Sequence, residues 1–185
     1  TANKRLRSND AYTAGGKAGF RPDRTVKTYT QILKRLYPHV PVVVGGIEAS
    51  LRRLTHYDYW DERLMPSLLV DSGADLLVYG MGEKVIQEVA SAMRNGFNAK
   101  LLRRLRQVAF VADRAYVDRL DEEQTIRLHS YEECCRDKQA FAENFTRIET
   151  LSNLMEQTQT LVEPTGDRYV VVNPPHTTLT QNELD

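Results

Sequence analysis

The spacing of apolar positions changes several times along the chain, and each change predicts an element. Val26, Tyr29, Leu33 and Leu36 recur at helical spacing. Pro22 suits the first turn of a helix that begins near Asp23, and Pro38 stops it after Tyr37. Val40 to Val44 is a short apolar, β-branched run, the pattern of a strand covered on both faces. Leu64, Leu68 and Leu69, with Pro66 near the start, predict a short helix. Ala74 to Tyr79 reads as a second buried strand, closed by Gly80-Met81-Gly82. From Glu83 onward Val85, Ile86, Val89, Ala90 and Met93 share one helical face, and Gly96 suits the C-cap. Val108 to Val111 predicts a further strand. Helix, strand, helix, strand, helix is the order of parallel strands joined by right-handed crossovers, hence an open α/β sheet.

Past Asp113 the character changes. Thr125 to His129 predicts a strand, and Ser130-Tyr-Glu-Glu133 is a capping box. Behind it Phe141, Phe145, Ile148, Leu151 and Met155 predict one long helix. Leu161-Val162 and Tyr169 to Val172 flank Pro164-Thr-Gly-Asp167, a hairpin signal, and a proline-led extended tail follows. The chain therefore divides into an α/β domain over 1–113 and a connector over 114–185 built on one helix and one hairpin. Residues 1–22 read as irregular, and TAGGKAGF is a loop without the G-x-x-x-x-G-K-[ST] spacing of a phosphate cradle.

At 185 residues, 41% hydrophobic and 27% charged, the composition is that of a globular domain that builds its core without disulfide or metal staples. No apolar run approaches membrane-spanning length, and a chain opening on TANKRLRSND reads as an excised fragment without a signal peptide. Its two cysteines, Cys134 and Cys135, are adjacent and point to different faces of a helix, which favours a reduced, cytoplasmic setting. Net charge is zero, yet residues 1–106 carry 18 Lys+Arg against 10 Asp+Glu, and residues 107–185 carry 7 against 15. Either the two parts face each other or other parts of a larger protein, or the basic part presents a nucleic-acid face.

Candidate chemistry gathers after the first two strands. Gly45-Gly46 and Gly80-Met81-Gly82 both stand at strand carboxyl ends, where α/β sheets bind ligands. If the strands are neighbours, the two turns make one crevice; the alternative is a pair of tight turns. Glu48 and Glu83 open the segments that follow, and Glu83 also suits a helix first turn. Arg52 and Arg53 could grip an anion as a pair or form ion pairs. His56, Tyr57 and Asp58 begin the densest polar and aromatic stretch, HYDYWDE. His56 with Asp58 could act as a general-base pair, but two such groups are too few for a metal site, and a hydrogen-bonded packing role is the alternative. No nucleophile elbow, G-x-G-x-x-G or C-x-x-C occurs.

VVVGGIEASLRRLTHYDYWDERLMPSLLVDSGADLLVYGMGE, with the opening 25 residues, IRLHSYEEC and VVVNPP, resembles the N-terminal region of YgiQ-type radical S-adenosylmethionine (radical SAM) proteins. More loosely, the paired glycine turns are similar to the cobalamin-binding-like α/β domains that precede many radical-SAM barrels. The resemblance implies a Rossmann-like, cobalamin-binding-like open parallel sheet, partial because its first strands lie outside this chain. It implies a [4Fe–4S] cluster on a C-x-x-x-C-x-x-C motif, with S-adenosylmethionine on the same cluster. This chain lacks that motif and the D-x-H-x-x-G cobalamin signature, so no cofactor is expected on it, and cluster and barrel are expected beyond Asp185. The implied partners are that barrel of the same polypeptide and an unknown substrate, with no membrane. The implied task is to organise or cover the substrate side of the barrel, with a structural scaffold or an RNA-binding module as alternatives. Gly45, Gly46, Glu48, Arg52, Arg53, His56, Tyr57, Asp58, Gly80, Gly82 and Glu83 would then position a substrate or cofactor group, with no catalytic residue or metal ligand in this chain.

Overall fold

The computed structural model describes residues 9–94, 96, 98–154 and 156–177; Met155 and residues 178–185 of the predicted tail lie outside them, as do residues 1–8. After a tight Asp10-capped turn, the elements in chain order are α1 (Thr25–Leu36), β1 (Val43–Val44), α2 (Gly46–Leu51), the strands β2 (His56–Asp58) and β3 (Arg63–Met65), and α3 (Leu68–Ser72). There follow β4 (Leu76–Val78), α4 (Glu83–Met93), α5 (Ala99–Leu102), β5 (Val108–Ala112) and α6 (Arg114–Val117). The chain then forms β6 (Thr125–Arg127), α7 (Tyr131–Arg136), α8 (Lys138–Ser152), β7 (Thr160–Thr165) and β8 (Arg168–Val172). Among the described residues no helix is long and apolar enough to cross a membrane.

The expected α/β class is present, but the sheet is mixed. Its six strands run in the order β1-β4-β5-β8-β7-β6. Only β1–β4 and β6–β7 are parallel, and the other three pairings are antiparallel. The all-parallel expectation fails at β5. Two helical segments, α4 and α5, separate it from β4, and the second returns the chain to the end where β4 stopped. The junction is visible at Gln107, whose carbonyl accepts from the Tyr79 N–H (3.3 Å) and whose amide donates to the Tyr79 carbonyl (2.7 Å). Strands from both sides of residue 113 share this sheet, with the β7–β8 hairpin seated in its interior.

Strand alternation splits the core into two layers. Leu77, Ala109, Leu161, Val170 and Val172 face one way and pack with Leu68, Leu69 and Leu151. Leu76, Val78, Val108, Phe110, Val162 and Val171 face the other way and pack with Val85, Val89, Leu102 and Val117. A separate two-stranded sheet, β2–β3, flanks the main one.

Two helices do not turn the face their apolar pattern suggests. On α1 the inward side carries Lys27, Gln31 and Lys34, which bond to Asp71 Oδ1 (2.6 Å), the Asp71 carbonyl (3.1 Å) and Asp75 (2.9 Å). Tyr29, Leu33 and Leu36 are left exposed beside Val40. On α8 the expected Phe145 is exposed and Asn144 is buried, because its amide bonds both ways to the His129 backbone at 2.9 Å. The capping box at Ser130 forms, but its helix ends at Arg136; Asp137 is extended and caps α8 by accepting from Gln139 N–H at 2.8 Å. On α4 the buried residues are Val85 and Val89, whereas Ile86 and Ala90 face solvent. Leu64, expected in a helix, lies in β3, and the helix starts after the Ser67 cap.

Phe110, 1% exposed at the centre of the second core layer, should carry a large share of stability. Phe110→Ala is expected to cost about 3–5 kcal/mol in urea unfolding at an unchanged denaturant slope.

Candidate functional site

The two glycine turns meet as expected. Val43 and Val44 of β1 pair in parallel with Leu76 and Leu77 of β4, so both strands end at one rim. Gly45 is favoured by close approach, since a Cβ there would stand 3.3 Å from the Val78 carbonyl oxygen. Gly46 and Gly80 are required by conformation, at φ +83° and +68°. At Gly82 a Cβ would lie 3.2 Å from Val78 Cγ1. Ser50, which pattern reading overlooked, ties the turns together: its hydroxyl donates to the Gly46 carbonyl (2.8 Å) and accepts from the Gly80 N–H (2.9 Å). Its signal was its place one helical turn after Gly46. Gln107, also overlooked, bonds the Tyr79 and Met81 carbonyls. The rim therefore uses part of its own backbone polarity internally.

The charged candidates do not converge. Glu48 Oε1 and Arg52 Nη1 form an i,i+4 ion pair at 3.2 Å on α2. Arg53 turns inward, donating from Nη1 to the Ser50 carbonyl (2.6 Å) with its guanidinium 5.1 Å from the Tyr79 ring centre. The two arginines therefore do not act as one anion clamp. Burial pulls Arg53 below the usual guanidinium range. Glu83 is exposed in the first turn of α4, where the helix dipole favours a carboxylate. Arg53, Tyr79, Gln157 and Asn173 line a cavity of about 70 Å³. Arg53 Nε and Gln157 Oε1 are buried and lack a hydrogen-bond partner among the described residues. A donor and an acceptor beside so small a space suit ordered water rather than a substrate.

The HYDYW stretch is a clasp. His56 Nδ1 donates to the Leu54 carbonyl (3.1 Å), and burial pulls the imidazole below its ordinary value, so the ring is neutral at neutral pH. Asp58 is buried and does not bond His56. Its Oδ1 accepts from the Trp60 and Asp61 amides (2.8 and 3.0 Å), closing the β2–β3 turn. Its Oδ2 meets Arg24 Nη2 at 3.2 Å, and the same nitrogen reaches Asp61 at 2.6 Å, so the turn is lashed to the start of α1. Burial opposes ionisation of Asp58, but the two amides and Arg24 prevail and hold its carboxyl below the usual range. Tyr57 points outward and is exposed.

The most perturbed carboxyl is one that pattern reading passed over. Glu163 lies within β7 and is 1% exposed. It accepts from the Thr55 N–H at 3.0 and 3.1 Å and from the Thr55 hydroxyl at 2.9 Å. Burial pushes its carboxyl up to about 7 against the pull of those bonds. A glutamate inside the strand LVEPT was the available signal. The thiols do not suit a [4Fe–4S] cluster: the chain has two cysteines where three thiolates are needed. Cys134 is buried with its thiol pushed up to about 11, and Cys135, expected near the core, is exposed on the same short helix. Among the described residues no cluster of three or more His, Cys, Asp or Glu is arranged to hold a metal ion.

Because the folded pKa of Glu163 lies above its unfolded value of 4.5, its contribution to stability is full below that value and is lost as pH rises through about 7. Between about pH 4 and about pH 9, urea unfolding should show the protein losing about 3 kcal/mol relative to Glu163→Gln. Asp58→Ala, which leaves two turn amides unbonded and Arg24 with Asp61 alone, should cost about 2–3 kcal/mol in the same assay. His56→Ala should cost less than half of that.

The whole chain, residues 1–185, matches the family model described as Radical SAM N-terminal. Proteins named UPF0313 are similar to it along its full length: one from Porphyromonas gingivalis is 47% identical over 185 residues, one from Bacteroides thetaiotaomicron 47% over 194, and one from Thermotoga neapolitana 42% over 185. The chain spans only 29%, 31% and 31% of those relatives. No solved structure matches it. Because the match runs over every residue, the chain belongs to the radical SAM N-terminal family.

Proposed function

We propose that this chain is an accessory wall that organises or covers the substrate side of a radical-SAM barrel supplied by the remainder of the polypeptide. The observation that carries this reading is apolar surface framing the glycine rim. Ile47 and Leu51, one turn apart on α2, are 81% and 71% exposed, and Met81 in the β4 turn is 66% exposed. The Ser50–Gly80 hydrogen bond draws that turn against α2. Large aliphatic side chains left open beside strand carboxyl ends mark an interaction surface. The family name implies S-adenosylmethionine, and we place it with its [4Fe–4S] cluster in the remainder, because the thiols here do not suit a cluster. The setting is cytoplasmic, with both thiols reduced. A second open apolar surface, a groove of about 250 Å³ lined by Leu33, Tyr37 and Val40 along edge strand β1, would take further strands of the same polypeptide.

The test is Ile47→Asp with Leu51→Asp in the full-length protein. Both side chains are exposed, so the circular dichroism of the fold should be kept. Thermal unfolding should separate into two transitions, and 5′-deoxyadenosine release should fall about tenfold or more. Unchanged unfolding and unchanged release would refute the wall.

A further inference from the structure

A different surface gathers positive charge that no carboxylate among the described residues pairs with. Where α5 and α6 meet outside the second core layer, Lys100, Arg103, Arg104 and Arg119 line a groove of about 460 Å³ with Tyr116 and Leu120. Arg103 is held in place: its guanidinium lies 5.3 Å from the Phe110 ring centre and 5.6 Å from that of Tyr116, and Nη2 donates to the Val111 carbonyl at 3.1 Å. The Arg103 residue as a whole is half-buried. Arg104 and Arg119 also sit near the Tyr116 hydroxyl, where all three guanidiniums oppose the upward push of burial on its pKa.

Among the described residues none of the four cations pairs with a carboxylate. The acidic second segment shares the same sheet, yet Asp118, beside Arg119 in sequence, pairs with Arg114 instead. Like charges held together in a concavity repel, and an anion would relieve that repulsion. Three guanidiniums and one ammonium suit phosphate oxygens, and the Tyr116 ring with Leu120 adds an apolar wall for a sugar or base. The groove volume falls in the range of small-molecule sites.

We propose that this groove binds the phosphate of a nucleotide, either free or as a unit of a nucleic-acid strand. The proposal does not rest on the accessory-wall reading, since α2 and the glycine rim take no part in it.

The test uses the full-length protein, a short fluorescently labelled single-stranded RNA, and ATP as a separate probe and competitor. Arg104→Glu with Arg119→Glu should weaken binding about tenfold or more. The milder Arg104→Gln with Arg119→Gln should lower the slope of log affinity against log salt by about 1.4. Both arginines are exposed, so the thermal transition should stay in place for each variant. RNA binding that ATP does not displace identifies a strand as the source; ATP binding without RNA binding identifies the free nucleotide. The proposal is overturned if neither probe binds at low salt, as when carboxylates from the rest of the polypeptide fill the groove, or if both variants bind like the unaltered protein.

Discussion

The contact between Thr55 and Glu163, 108 residues apart in sequence, is the constraint on which the arrangement hangs. A carboxyl buried in an interior strand is costly unless its oxygens are bonded, and the segment entering β2 supplies those bonds. Fixing Thr55 fixes the β2–β3 hairpin. Asp58 and Arg24 then carry that position to α1, and Lys27 and Lys34 carry it to α3 and the start of β4. On the other side Glu132 of α7 accepts from the Gly166 N–H at 2.9 Å, which holds the turn of the same central hairpin. Polar contacts between distant segments thus set the placement of elements whose apolar faces alone do not determine it.

The residues with the most evident chemistry are used for architecture. His56, Asp58, Glu48 and Arg53 each find partners inside the chain, and the perturbed acidities of His56, Asp58 and Arg53 follow from burial and from those partners. Groups open to outside partners lie elsewhere: aliphatic side chains around the glycine rim, and, between α5 and α6, cations that pair with no carboxylate among the described residues. That separation fits a segment whose surfaces engage something outside it.

Much of the architecture was legible in the sequence. Local signals gave the glycine turns, the Ser130 cap, the β7–β8 hairpin and the α/β class, because each depends on a few adjacent residues. The direction of β5 was not legible, because α5 is too short to announce an extra reversal before Val108. The faces of α1 and α8 were misread because Lys27, Lys34 and Asn144 are polar residues with buried or half-buried partners, and hydrophobic periodicity treats such residues as solvent-facing. The convergence of Gly45 and Gly80 at one rim followed from parallel neighbours. Ser50 and Glu163 were missed because a hydroxyl or carboxyl acquires meaning only from the distant backbone it meets.

The strand order also bears on how the chain is made. β8 lies between β5 and β7, and β6 pairs with β7, so two interior strands of the sheet are synthesised after both of its edge strands, β1 and β6. Until β8 has emerged, β5 displays one unpaired edge of VAFVA, and until β7 has emerged β6 lacks its strand partner. A nascent chain with an open apolar strand invites pairing with other chains. Synthesis of this segment therefore passes through a stage in which a half-built sheet must be sheltered, and that stage ends when the hairpin inserts and joins the two halves.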